Sequence, residues 1–205
     1  MHKFTRDLLI AFLFGIGVIV FSNVAFAAVG EIGKVKGSGA IERGDESIAA
    51  VDGVGIKMED TAVTANGKIQ IDFLDDTRVD ITEHSRLFID EFVYDPANDV
   101  GSLSIKATLG TVRYASGQIA KKYQQNVKIA TPSATIAVRG TDFIMVVDEL
   151  GGSMITLLPS CDEDMVCYTG EIEVETDAGF VVLNQPFQAT QTTHNMRPPG
   201  KPYVI

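Results

Sequence analysis

Tryptophan is absent, and cysteine nearly so, with two in 205 residues. A chain this poor in cysteine has no disulfide framework, but it is long enough to bury a core without one. Positive charge is scarce, 17 Lys and Arg against 27 Asp and Glu, for a formal net charge of −10. That balance argues against nucleic acid as a partner, because phosphate binding needs a basic stripe. It equally disfavours electrostatic adhesion to an anionic membrane surface. Beyond the first 27 residues the only histidines are His84 and His194. There is no Gly-x-Ser-x-Gly, His-Glu-x-x-His, phosphate loop or dinucleotide fingerprint. No catalytic set and no cofactor are therefore expected. Long amphipathic helices are missing too, the best helical candidate being the short stretch Gln118 to Gln125.

What is present begins with an export signal. Lys3 and Arg6 precede an uncharged apolar run of 14 residues, Leu8 to Phe21, and Ala25-Phe26-Ala27 supplies a small-x-small cleavage site. That order predicts a signal peptide over residues 1–27 and a destination in the periplasm or outside the cell. The alternative is an uncleaved anchor that holds the chain to the inner membrane facing the periplasm; only then would the chain have a membrane contact. In an oxidising compartment Cys161 and Cys167 are expected to pair around the loop Asp162-Glu-Asp-Met-Val166. Their spacing is not Cys-x-x-Cys, and the acidic neighbours would raise the thiol pKa, which argues against redox chemistry. Two cysteines alone make a weak metal site.

Period-two alternation dominates the rest. Lys68 to Phe73, Arg78 to Thr82, Arg86 to Asp90, Leu103 to Ala107, Asn126 to Ala130, Thr135 to Arg139 and Glu171 to Thr176 each read as a half-buried strand. Phe143 to Val147, Ile155 to Leu158 and Phe180 to Leu183 are continuous apolar runs that suit strands covered on both sides. Asn66-Gly67, Asp75-Asp76, Leu109-Gly110, Gly151-Gly152, Thr169-Gly170 and Ala178-Gly179 read as turns between strands. Residues 191–205, with three prolines and no alternation, read as a flexible tail.

The stretch Thr131-Pro-Ser-Ala-Thr-Ile-Ala-Val-Arg-Gly-Thr-Asp-Phe143 resembles the signature of the FecR domain, an all-β periplasmic module of bacterial transmembrane signalling. The resemblance covers residues 53–190. Ile71 to Val79 is similar to its strand, acidic turn, strand unit; Ser85 to Ile89 and Leu109 to Arg113 resemble the strands that follow; Gly170 to Val174 resembles its late Gly-x-Val strand. The family implies an all-β fold, a β-solenoid-like stack of short strands, with a β-sandwich as the alternative. The domain is expected to fill residues 28–190. FecR regulators also carry a cytoplasmic anti-sigma segment and a C-terminal signalling subdomain. Neither is expected here, since seven residues precede the apolar run and the chain ends soon after the domain.

Within the signature, Thr131, Pro132, Arg139, Gly140, Thr141, Asp142 and Phe143 are expected to be structural. Gly140 would take a backbone conformation that other residues resist. Arg139 would pair with Asp142 or hold nearby carbonyls. Thr131-Pro132 would start a strand. Asp72, Asp75, Asp76 and Asp80 read as a solvated face and turn, without the converging oxygens calcium needs. The function these readings support is an exported, non-enzymatic module that binds a protein or another cell-envelope component, in signalling or scaffolding. The alternative is a carbohydrate or small-ligand binder that uses Tyr94, Tyr114, Tyr123 and Tyr168 as an aromatic platform.

Overall fold

The computed structural model describes residues 27–161 and 165–205, so the predicted signal peptide lies outside the described residues except for Ala27. The chain runs β1 (Gly30–Arg43), β2 (Glu46–Ala49), β3 (Gly55–Ile56), β4 (Thr61–Phe73), β5 (Arg78–Ile81), β6 (Arg86–Asp95) and β7 (Val100–Ala115). A helix, α1 (Gln118–Lys122), and a 3-10 turn at Gln124–Asn126 lead to β8 (Val127–Ala130), β9 (Thr135–Arg139), β10 (Asp142–Val147) and β11 (Ser153–Leu158). Then come β12 (Ser160–Cys161), β13 (Cys167–Tyr168), β14 (Glu171–Thr176), β15 (Gly179–Leu183), β16 (Gln188–Thr192) and β17 (Tyr203–Val204). The all-β class is as expected. Fifteen of these strands join one sheet, and β12 and β13 form a small sheet of their own.

The path of β4 and β7 explains the architecture. In β4 the buried positions are Ala62 and Thr64, then Gly67, Ile69, Ile71 and Phe73. The parity flips at Asn66-Gly67. In β7 it flips between Ala107 and Val112. Because side chains alternate faces, such a slip turns the sheet over on itself. β5 and β6 lie end to end between these two long strands. β5 pairs with the later parts of both, and β6 with their earlier parts. Beyond β7 the sheet divides. Gly110–Ala115 pairs with β10, while Leu103–Lys106 pairs with β8. One layer therefore holds β5, β10, β11, β16 and β17; the other holds β6, β8, β9, β14 and β15. β1, β4 and β7 cross the corner and belong to both.

The layers close on each other. Phe73 of one layer stacks on Phe92 of the other, with ring centroids 5.5 Å apart. On the far side the Ser133 hydroxyl lies 2.9 Å from that of Ser153 and 2.7 Å from that of Thr192. The core between them is rich in isoleucine and valine, including Ile71, Val79, Ile105, Val112 and Val174, all without exposure. Branched side chains suit this pleated, two-layer interior.

The sheet is built almost wholly from antiparallel neighbours; β7–β8 is the one parallel ladder among the described residues. Short turns can only return a strand antiparallel, and the stretch 116–126 that carries α1 is long enough for a parallel crossover. Asn66-Gly67 and Leu109-Gly110, read from sequence as turns between strands, are instead the corner inside β4 and β7. There the backbones converge. Gly110 has φ +83, and a Cβ on it would sit 2.2 Å from Ser85 Oγ and 2.8 Å from the His84 carbonyl oxygen. Hydroxyls close the seam. Ser85 Oγ accepts from the Thr111 N–H at 2.9 Å, and Thr64 Oγ1 accepts from the Ser85 N–H at 2.9 Å.

Three further readings change. The stretch Phe180 to Leu183 is an edge strand with Phe180 exposed, so it is covered on one side only. The segment read as a tail begins inside β16, which pairs with β11, and ends in β17. β1, not anticipated, is one of the longest strands.

Candidate functional site

The signature starts in a reverse turn. The Thr131 N–H donates to the Ala134 carbonyl at 2.8 Å, and the Ala134 N–H donates back to Thr131 Oγ1 at 3.1 Å. Pro132 sits inside this turn between β8 and β9, so Thr131-Pro132 ends a strand pair and does not start one. Its fixed φ suits that position. β9 follows, with Ile136 and Val138 buried and Thr135, Ala137 and Arg139 facing out.

Gly140 has φ +67, the conformation expected of it. The turn it makes is not a hairpin. β9 pairs with β8 and β14, whereas β10 pairs with β7 and β11. Gly140-Thr141 therefore carries the chain from one layer to the other. Ser116 seals the crossing: its hydroxyl donates to the Thr141 carbonyl at 2.7 Å and accepts the Thr141 N–H at 2.9 Å. Phe143 then packs fully buried against Tyr114, centroids 5.3 Å apart.

Arg139 and Asp142 do not pair with each other. Arg139 lies directly across from Glu171 in the β9–β14 ladder and bonds to it at 2.8 Å. Asp142 accepts from Arg113 of β7 at 2.9 Å. Each is held by its own layer, which is why a pair across the crossing does not form.

The remaining candidates scatter. Cys161 and Cys167 are bonded, Cα atoms 4.0 Å apart, and the bridge joins the small β12–β13 sheet. Tyr114 is fully buried, Tyr123 is buried with its hydroxyl donating to Asp99 at 2.9 Å, and Tyr94 is half-buried. Only Tyr168 is freely exposed, so these four rings form no common platform. Asp75 is also not on a solvated face. It is buried, and it accepts from the Thr77 N–H at 3.1 Å, the Thr77 hydroxyl at 2.8 Å and the Ile119 N–H at 3.0 Å. It ties α1 to the β4–β5 turn. Asp72 bonds to Arg78 at 2.8 Å. The Asp80 carboxyl is pushed up, chiefly by burial and against the pull of Arg113 and Arg78. Asp76 is exposed, as are His84, at the corner, and His194. Asp162 to Asp164 lie outside the described residues. Among the described residues no three His, Cys, Asp or Glu side chains gather as metal ligands.

The start of the signature lines a surface groove of about 430 Å³. Thr131, Pro132 and Thr135 line one wall, and Glu175, Asp177 and Asn195 line the other. The alternation Glu171-x-Glu-x-Glu175 was visible as a strand pattern, but only the β9–β14 pairing brings it beside the signature.

Residues 60–159 match the family model described as FecR protein, just under half of the chain. Two crystal structures of a "putative anti-sigma factor" from Parabacteroides distasonis, at 1.65 Å and 2.50 Å, share 15% identity with the chain and superpose with TM-scores of 0.47 and 0.48. The alignments cover 69% of this chain and 56% of theirs, so the chain spans little more than half the length of that protein. No curated protein matches. The matched segment opens at the start of β4, closes just after β11 and contains the whole signature, and residues 60–159 are a FecR domain.

Proposed function

We propose that this FecR-domain chain is an exported, non-enzymatic binding module of the cell envelope whose partner is a protein in a signalling or scaffolding assembly. The observation that carries the reading is how the signature side chains are spent. Arg139 and Asp142 are committed to neighbouring strands, and the Thr141 backbone to Ser116 just past β7. A signature consumed in joining two layers is a scaffold, and a scaffold of this kind acts through its surfaces. The sequence pattern of residues 1–27 supports export, and no described helix is long and apolar enough to cross a membrane. The dispersed tyrosines offer nothing to favour the carbohydrate reading.

Crosslinking in intact envelopes followed by affinity isolation tests this. A reproducible protein partner is expected, and it should survive Arg139→Ala, since Arg139 serves the scaffold. Repeated recovery of the chain alone would refute the reading.

A further inference from the structure

Sheets in exported proteins rarely leave a bare hydrophobic edge, because such an edge pairs with any other strand. Most edges of this sheet are blunted. β3 and β17 are two residues long, and β2 carries Glu46. β15 is different. It reads Gly-Phe-Val-Val-Leu, without charge or proline, and pairs only with β14 among the described residues. Phe180 is 63% exposed. The segment after β16 reaches the start of this strand, where Pro198 approaches Gly179, and no further backbone bond among the described residues meets Phe180 to Leu183.

The ground beside this edge is acidic. On β14, Glu173 lies opposite Val182 and Glu175 opposite Phe180. Glu171 is neutralised by Arg139. Glu173 and Glu175 have no ion-pair partner among the described residues, and an added strand would run one position beyond them.

We propose that β15 is an open docking edge, which pairs with an extended segment of a partner protein carrying alternating apolar and basic side chains. The ladder to the β15 backbone supplies the pairing. Its apolar side chains lie on the core-facing side, beside Val181 and Leu183, and its lysine or arginine side chains lie along Phe180 and Val182 and reach over that strip to Glu173 and Glu175. A second copy of this chain fits poorly, because its own β15, Gly-Phe-Val-Val-Leu, offers no basic side chain to Glu173 and Glu175. This proposal rests on the binding-module reading above and locates its surface.

The test is fluorescence anisotropy of a labelled peptide of alternating valine and lysine, about seven residues long, titrated with the whole exported chain. Binding is expected. A peptide of the same charge with a central proline should bind about tenfold more weakly, since proline removes a ladder donor. Phe180→Lys and the double change Glu173→Gln, Glu175→Gln should each weaken binding similarly. Equal affinity for the proline peptide would mean charge attraction alone and would overturn the proposal, as would no binding at all. A dimer in sedimentation that Phe180→Lys dissociates, with no peptide binding, would assign the edge to a second copy. If the Phe180→Lys chain still captures its envelope partner undiminished, the edge is wrong while the binding-module reading stands.

Discussion

At the scale of single residues, the buried polar groups decide most. The Asp75 carboxylate accepts the Ile119 N–H in the first turn of α1 and both donors of Thr77. Asp75→Ala leaves buried donors unanswered, and a loss of about 2 kcal/mol or more is expected in urea unfolding. Asp76→Asn next to it, exposed and tolerant of its left-handed backbone at φ +65, should stay within about 0.5 kcal/mol. Tyr114 makes a different point. Its phenol pKa is raised, chiefly by burial. The hydroxyl lies near Thr77 and Ser116 but in hydrogen-bond geometry with neither. The folded state therefore favours the neutral phenol. Its contribution is whole below the ordinary phenol pKa of about 10 and is lost as pH rises from there toward the raised folded value. Tyr114→Phe should flatten the alkaline fall in stability and change stability at neutral pH by less than about 1 kcal/mol. A steeper alkaline fall in the variant would contradict this.

At the scale of elements, glycine acts through two mechanisms that a pair of substitutions separates. Gly140 and Gly110 both have positive φ, +67 and +83. A Cβ on Gly140 would find its nearest neighbour beyond the adjacent residues, the Ala120 carbonyl oxygen, at 3.9 Å, whereas on Gly110 it would strike Ser85. Gly140→Ala should therefore cost about 1–2 kcal/mol of backbone strain. Gly110→Ala adds a clash at the corner and should cost clearly more, about 3 kcal/mol, by thermal or urea unfolding. The same glycines show what the sequence could convey. β5, β8, β9 and β14 were legible because each alternates cleanly and bends nowhere. β1 was not, because its register slips between Ile32 and Lys34 and again between Gly37 and Gly39, which scrambles the period. Gly67 and Gly110 looked like hairpin turns because a corner and a turn make the same local demand on the backbone. The signature was legible as scaffold, but its partners were not: Glu171, Arg113 and Ser116 are set by which strands meet, and residue spacing does not encode that. For the same reason Asp75 and Tyr114 read as surface groups although both are buried.

At the scale of the whole molecule, the strands that cross the corner make the two layers one object. β1 spans Gly30–Arg43 and is paired along nearly its whole length with β4, from Gly30↔Phe73 to Glu42↔Thr61. The segment that sequence similarity recognises, 60–159, begins after β1 and ends before β14 and β16. A protein trimmed to that segment would expose the long flank of β4 and the free sides of β9 and β11. It should aggregate or remain unfolded in circular dichroism and light scattering, whereas residues 28–205 should give a monodisperse, cooperatively melting β protein. A folded, soluble 60–159 fragment would show that the flanking strands are ornaments. On this expectation heredity and mechanics draw different borders on this chain: the stretch that the family model matches is narrower than the stretch expected to stand by itself.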